Sequence, residues 1–313
     1  MTLDPQAQAY LEQVRAAGLP RLYELDAPAA RDATGPIGDL IGPGPAVDDV
    51  RDISIAVRDA EIPARRYRPA GSRATIVWLH GGGWVIGGGL DPHDAMCRIL
   101  ANSAAATVVS VDYRLAPEHP FPVPLDDCFD ALNWVAGRED SSPLVIGGDS
   151  AGGNLAAVCA LRARDRGGPP LAAQLLVYPV TDTDMTTASY IEHGANELLM
   201  LGAAEMAWFF DQYVPEVAQR RNPEVAPLRA PNLSGLPPAI VVVAEYDPLR
   251  DDGLRYAERL SSAGVDVTLL RYDDMPHVFF SFVNLIPTGN EAVQRVGSTL
   301  RAMIANPAAA GAA

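Results

Sequence analysis

The chain has 313 residues, 39 of them acidic and 24 basic, for a formal net charge of −15. All 24 basic residues are arginine, and no lysine occurs. So acidic a chain, without a basic run, argues against nucleic acid or an anionic membrane as partner. Apolar residues make up 48% of the sequence, which supplies a sizeable core and excludes global disorder.

Asp4 followed by Pro5 reads as a helix N-cap with proline at the first helical position. Tyr10, Leu11, Val14 and Ala17 then recur at helical spacing until Gly18 and Pro20 stop the helix. A short second helix is expected over Ala29–Ala33, and residues 35–45, rich in Gly and Pro, read as a linker. Residues 1–45 are expected to contribute to a cap. The stretch from Met1 to Gly18 carries Asp4, Glu12 and Arg15, so it lacks the apolar centre of a signal peptide. No apolar run approaches the roughly 18 residues of a membrane helix.

After residue 45 the pattern changes. Ile53, Ile55 and Val57 alternate as in a half-exposed strand, with Arg65–Arg68 as its expected partner. Apolar runs typical of strands buried on both faces follow at Thr75–Leu79, Thr107–Val111, Leu144–Ile146, Gln174–Val177, Ile240–Ala244 and Val267–Leu270. Helical patterns lie between most of them, at Pro92–Ser103, Leu125–Val135, Ala151–Arg164, Leu249–Ala263 and Glu291–Ile304. This alternation predicts an α/β fold with a mostly parallel sheet flanked by helices. Between Pro179 and Pro238 there is no clear strand, only a stretch rich in Met and aromatic residues. It reads as an inserted helical cap segment, 181–219. The catalytic domain is then expected over 46–180 and 220–306, with a frayed Ala-rich tail at 307–313. Cys97, Cys128 and Cys159 are widely spaced among apolar residues in expected helices and read as buried free thiols, which suits a reducing, cytoplasmic setting.

The chemistry is concentrated in a few short motifs. Gly148-Asp149-Ser150-Ala151-Gly152 has the form Gly-x-Ser-x-Gly between a strand and a helix. That pattern makes a sharp strained turn, with Ser150 exposed as nucleophile at the positive end of the helix. His80-Gly81-Gly82-Gly83-Trp84 follows a strand and offers backbone N–H groups of Gly82 and Gly83 for an oxyanion. The N–H of Ala151 completes the set. Of the five histidines, His277 lies in a loop past the last strand, where a base reaches the serine. His80 belongs to the glycine loop, His119 lies in a Pro-bounded turn, and His93 and His193 lack supporting context. Asp247 is the first aspartate beyond the strand 240–244 and the choice to orient the base, while Asp251 and Asp252 are expected in surface or capping roles on the next helix. The order Ser150, Asp247, His277 is that of the α/β hydrolases.

With these motifs in order from about residue 50 to 300, the sequence resembles the hormone-sensitive-lipase-like bacterial carboxylesterases. The resemblance rests on His80–Trp84, on Asp112-Tyr113-Arg114-Leu115-Ala116-Pro117-Glu118-His119-Pro120-Phe121-Pro122, on Gly148–Gly153, on Asp247–Asp251 and on His277. It implies an eight-stranded sheet, a cap built from the N-terminal helices and the insertion, and the same triad and oxyanion donors. The family often has glycine after the base, where this chain has Val278. The expected activity is hydrolysis of small, short- to medium-chain acyl esters through an acyl-enzyme, without metal or cofactor. Amidase, lactonase or lipase chemistry on the same triad is the alternative, and a non-catalytic receptor on this fold the remote one. Trp84, Tyr178, Leu199, Met200, Trp208 and Phe209 are candidate pocket walls. The expected partner is the small-molecule ester, with a homodimer admitted by the resemblance.

Overall fold

The structure, a computed structural model, describes residues 2–138 and 143–305. The expected tail at 307–313 lies outside the described residues. The first helix, α1 (Pro5–Ala16), begins as expected: the Asp4 carboxylate accepts the N–H groups of Gln6 and Ala7. Two further helices follow, α2 (Ala27–Thr34), capped by Asp26, and α3 (Ile37–Ile41). The third corrects the linker reading of 35–45. Gly38 lies close enough to Pro92 that its backbone packs on the segment ahead of the next helix, so this Gly/Pro-rich stretch folds through tertiary contact rather than propensity.

Eight strands form one sheet. They are β1 (Asp49–Ala56), β2 (Glu61–Arg68), β3 (Thr75–Leu79), β4 (Thr107–Val111), β5 (Leu144–Asp149), β6 (Ala173–Val177), β7 (Ala239–Tyr246) and β8 (Val267–Pro276). Their order across the sheet is β1-β2-β4-β3-β5-β6-β7-β8. The β1–β2 and β2–β4 pairs are antiparallel and the remaining pairs parallel. Strands β3, β4, β5 and β6 are buried along their whole length, which is why they read as unbroken apolar runs. The sheet separates two layers of core. One holds Leu79, Ile146, Leu155 and Leu176, the other Ile76, Trp78, Val145 and Leu175.

The helices of the body are α4 (Asp94–Ala104), α5 (Val123–Ala136), α6 (Ala151–Arg166), α9 (Arg250–Ser262) and α10 (Pro287–Ala305). Between β6 and β7 lie α7 (Ala188–His193) and α8 (Ala203–Tyr213), with no strand among the described residues of that interval. Arg21, ahead of a 3-10 turn at Leu22–Glu24, donates to the buried Glu205 of α8 at 2.6 Å and to the Leu199 carbonyl at 3.1 Å. The N-terminal segment is thereby fastened to the insertion. Among the described residues no helix is long and apolar enough to cross a membrane.

Helix α6 is the centre of the body, buried continuously from Ala151 to Ala163. It approaches the sheet so closely that a Cβ at Gly152 would collide with the Leu79 carbonyl oxygen. In an ordinary helix Gly→Ala gains about 1 kcal/mol. Here the overlap is with backbone, which has no means of yielding. The G152A variant is therefore expected to lose at least about 4 kcal/mol of stability or to fail to fold, measured by chemical denaturation. A variant as stable as wild type would mean that α6 and β3 stand further apart.

Candidate active site

Ser150 stands between β5 and α6 with φ 55° and ψ −117°, a conformation that side-chain-bearing residues rarely adopt. Its backbone is held on both sides. The Ser150 N–H donates to the Val177 carbonyl at 2.8 Å, and the Ser150 carbonyl accepts from Asn154 N–H at 3.0 Å. The residue is 8% exposed.

His277, just past the end of β8, brings Nε2 to 3.0 Å from Ser150 Oγ. Its Nδ1 lies 2.6 Å from the Asp247 carboxylate, which is wholly buried. Residues 127 and 30 positions apart in sequence thus form one hydrogen-bonded chain. Asp247 Oδ1 accepts the N–H of Leu249, which turns the other oxygen toward the imidazole. The Tyr178 ring lies 4.5 Å from the His277 ring, so of the candidate pocket residues this one touches the histidine. The other histidines lie elsewhere. His119 stays in its turn, and His193 is in α7.

The glycine loop runs beside Ser150. Gly82 and Gly83 take φ values of 115° and 58°, open to glycine at little cost. Among the described residues the N–H groups of Gly82, Gly83 and Ala151 have no acceptor. The His80 imidazole is hydrogen-bonded to the Gly81 carbonyl at 2.7 Å, and the Tyr113 hydroxyl donates to the His80 carbonyl. His80 stacks on Tyr113 and on His93, giving His93 the context that sequence lacked. Burial, aided by the neighbouring imidazole, holds the His80 pKa down at about 4, and burial does the same for His93. Both rings are uncharged supports.

The remaining pocket candidates divide. Phe209 lies directly over Gly83, where any Cβ would strike its ring. Trp208 meets Phe209 edge-on at 5.2 Å and is partly buried. Met200 packs against the layer containing Tyr178, and Leu199 is buried. Trp84 is wholly buried, stacked on Tyr213 at 4.4 Å and near Phe210, so it joins the glycine loop to α8.

Asp252 corrects the expectation of a surface or capping role. It is wholly buried, and one carboxylate oxygen accepts the N–H groups of Thr181 and Asp182 at 2.7 and 2.9 Å. Asp251 accepts Ser189 N–H at 2.9 Å, and the Ser189 hydroxyl donates to the Pro248 carbonyl. The loop carrying Asp247 is thereby bound to the chain leaving β6 and to α7. Sequence offered no sign of this, since the partners are about 60 to 70 residues away. Glu192, His193 and Glu245 also converge nearby, but the Arg250 guanidinium occupies the space between the two carboxylates, 3.1 and 2.5 Å from them. That group is an ion cluster. Cys97, Cys128 and Cys159 are buried and free, and burial raises all three thiol pKa values, to about 12 for Cys159.

A serine at a strained strand–helix turn, beside a histidine and a buried aspartate on a mostly parallel sheet, defines an α/β-hydrolase arrangement. The family model for the α/β-hydrolase fold matches residues 76–281. The chain belongs to this family, in its hormone-sensitive-lipase-like branch of carboxylic ester hydrolases. It is similar to the carboxylic ester hydrolase LipN of Mycobacterium tuberculosis, 40% identical over 96% of this chain and 83% of that one. It is similar also to an ethyl acetate hydrolase of Pseudomonas putida, 36% identical over 96% of this chain and 99% of the relative. Among solved structures, an ester hydrolase from the Lake Arreo metagenome superposes with a TM-score of 0.92 at 38% identity, covering 97% of this chain and all of that one.

Two expectations follow from the site's surroundings. Val278 takes φ 69°, the left-handed region where the family often carries glycine. A β-branched residue there costs roughly 1–3 kcal/mol. Relief of that strain in V278G offsets the usual entropic and packing loss. The variant should therefore unfold within about 1 kcal/mol of wild type, whereas a loss above about 3 kcal/mol in chemical denaturation contradicts the strain. Asp252 supplies the second. Burial raises its pKa to about 7, with Asp182 adding to the rise and the N–H groups of Thr181 and Asp182 and the Arg255 charge opposing it. A carboxyl whose folded pKa is raised is ionised at a cost, so its penalty is absent below about pH 4 and complete above about pH 7. Wild type should lose on the order of 2 kcal/mol relative to D252N between pH 5 and 8. A stability difference independent of pH would show that Asp252 titrates normally.

Proposed function

We propose that the protein hydrolyses small carboxylic esters of short to medium acyl length through an acyl-enzyme on Ser150. The observation that carries this reading is the hydrogen-bonded chain from Asp247 through His277 to Ser150 at the strained turn. In the proposed mechanism His277 Nε2 takes the proton of Ser150 as Oγ attacks the ester carbonyl carbon. Asp247 keeps the imidazole oriented with its proton on Nδ1 and stabilises the imidazolium. The N–H groups of Gly82, Gly83 and Ala151 receive the oxyanion, each worth a few kcal/mol in such sites. His277 then gives its proton to the leaving alcohol, the carbonyl re-forms, and water repeats the two steps on the acyl-enzyme.

Residues 1–45 and 181–219 act as a cap over a catalytic body of 46–180 and 220–306. The Arg21 contacts to Glu205 and Leu199 support treating the two segments as one unit. Phe209 above Gly83 supports a short acyl site, since it fills space beside the oxyanion donors. Similarity to an ethyl acetate hydrolase supports the same choice. Three buried free thiols suit the cytoplasm, and the edge strand β8 is the surface on which we would seek a homodimer.

Burst kinetics with p-nitrophenyl acetate, butyrate, octanoate and palmitate test the reading. Wild type should show an initial burst and favour the shorter esters. S150A should lose at least about a thousandfold in kcat and the burst with it. Turnover by S150A at the wild-type rate would overturn the assignment, and a preference for palmitate would overturn the acyl length.

A further inference from the structure

Asp149, the last residue of β5, is buried immediately before Ser150 and has no part in the proton transfers above. It pairs with Val177 across the sheet, so its position is fixed by the β5–β6 register. Its two carboxylate oxygens serve different loops. Oδ1 accepts the Gly81 N–H at 3.0 Å, and Oδ2 accepts the Ser281 hydroxyl at 3.2 Å. Gly81 precedes the two glycines proposed to hold the oxyanion. Ser281 lies in the turn that follows His277, where its N–H donates to the Val278 carbonyl. The Ser281 hydroxyl is also 3.4 Å from the Tyr178 hydroxyl, and the Tyr178 ring lies against His277.

Gly81 shows how close the contact is. A Cβ there would stand 2.5 Å from Asp149 Oδ2, so the loop presses its backbone onto the carboxylate. The groups facing Asp149 are His80 and Gly81 from the glycine loop, His277 and Ser281 from the segment after β8, Tyr178 after β6, and further off Tyr113 after β4 and Cys97 of α4. None is a permanent cation. His80 is uncharged at neutral pH, and burial pushes the Asp149 carboxyl above the usual range. A carboxyl is costly in such a place unless its hydrogen bonds are needed.

We propose that Asp149 is a positioning residue for ester hydrolysis. By holding Gly81 N–H and the Ser281 hydroxyl at once, it fixes the glycine loop against the turn that carries His277. The spacing between oxyanion donors and base is then set by one side chain, independently of the Ser150–His277 contact. The inference rests on the proposed roles of Gly82, Gly83 and His277.

Three variants test it against short p-nitrophenyl esters, each checked for folding by circular dichroism and thermal melting. D149N keeps an acceptor for Gly81 and a donor for Ser281, so it should stay within about threefold of wild-type kcat. D149A removes both ties, and misplacement of about 1 Å in a catalytic group can cost about a hundredfold. It should lose roughly 10- to 100-fold in kcat with KM within about threefold. S281A removes one tie and should fall between. A folded D149A with kcat within about twofold of wild type overturns the proposal, as does D149N falling as far as D149A. If D149A does not fold, S281A decides, and an unchanged kcat there overturns it. Retention of activity by S150A would instead bring down the underlying reading of the site, a distinguishable result.

Discussion

The geometry of this protein depends on one unfavourable backbone conformation, the φ of 55° at Ser150. Such a conformation costs roughly 1–3 kcal/mol and persists only where its surroundings overdetermine it. Here they do so from three directions. The β5–β6 register delivers the Ser150 N–H to Val177. Contact of Gly152 with the Leu79 carbonyl sets the depth of α6 beneath the turn. Asn154, buried one turn along α6, donates to the Val180 and Val225 carbonyls, so the chain leaving β6 and the chain approaching β7 are both held against the helix. The parallel sheet is needed because it alone brings those strand ends to one edge.

The three loops that meet Ser150 share a second feature: each is held by groups outside itself. Arg31 donates to the Val85 and Ala116 carbonyls and forms a two-bond pair with Glu118, so α2 holds the chain after the glycine loop. The Asp247 loop is held by Asp252 and by Ser189 of α7. The His277 segment is tied through Ser281 to Asp149. Arginine suits several of these bridges because its planar fork serves carbonyls and carboxylates together, which an ammonium does not match. The absence of lysine, read from sequence as compositional bias, is thus accompanied by a structure in which Arg21, Arg31 and Arg162 each span distant segments.

Much of this was legible in the sequence, for physical reasons. Strands such as Thr107–Val111 are buried on both faces, so their apolar runs are unbroken and their limits match β4 exactly as far as the pattern extends. The glycines around Ser150 reported a close helix–strand approach, and the structure shows it. What escaped was polar burial. Asp252 follows Asp251 in a charged helix start, and nothing in that local pattern tells which of the two faces inward. The answer depends on backbone N–H groups at Thr181 and Asp182, which only the fold brings near. The packing of Trp84 was hidden for the same reason. An aromatic beside a glycine loop can face a substrate or a neighbouring helix, and its partner Tyr213 lies 129 positions away. The helix α3 was hidden because Gly and Pro obscure a short element stabilised by contact with the body.

The electrostatics of the proposed reaction follow from scale. A chain of net charge −15 is asked to stabilise one more negative charge, on the ester oxygen. Most of the acidic surplus is screened, because exposed charges beyond about 8 Å contribute little at physiological ionic strength. The carboxylates that matter are the two buried ones closest to Ser150 and His277, Asp149 and Asp247. Asp247 faces His277, where it favours the imidazolium formed in the same step. Asp149 is turned to Gly81 N–H and Ser281, so its oxygens are engaged by hydrogen-bond donors. In that proposal the developing oxyanion is met by N–H dipoles and the start of the 16-residue α6, whose terminus carries roughly half a positive charge. Local dipoles at hydrogen-bond distance outweigh a distant net charge of the wrong sign, and an acidic surface is compatible with anionic chemistry at its centre.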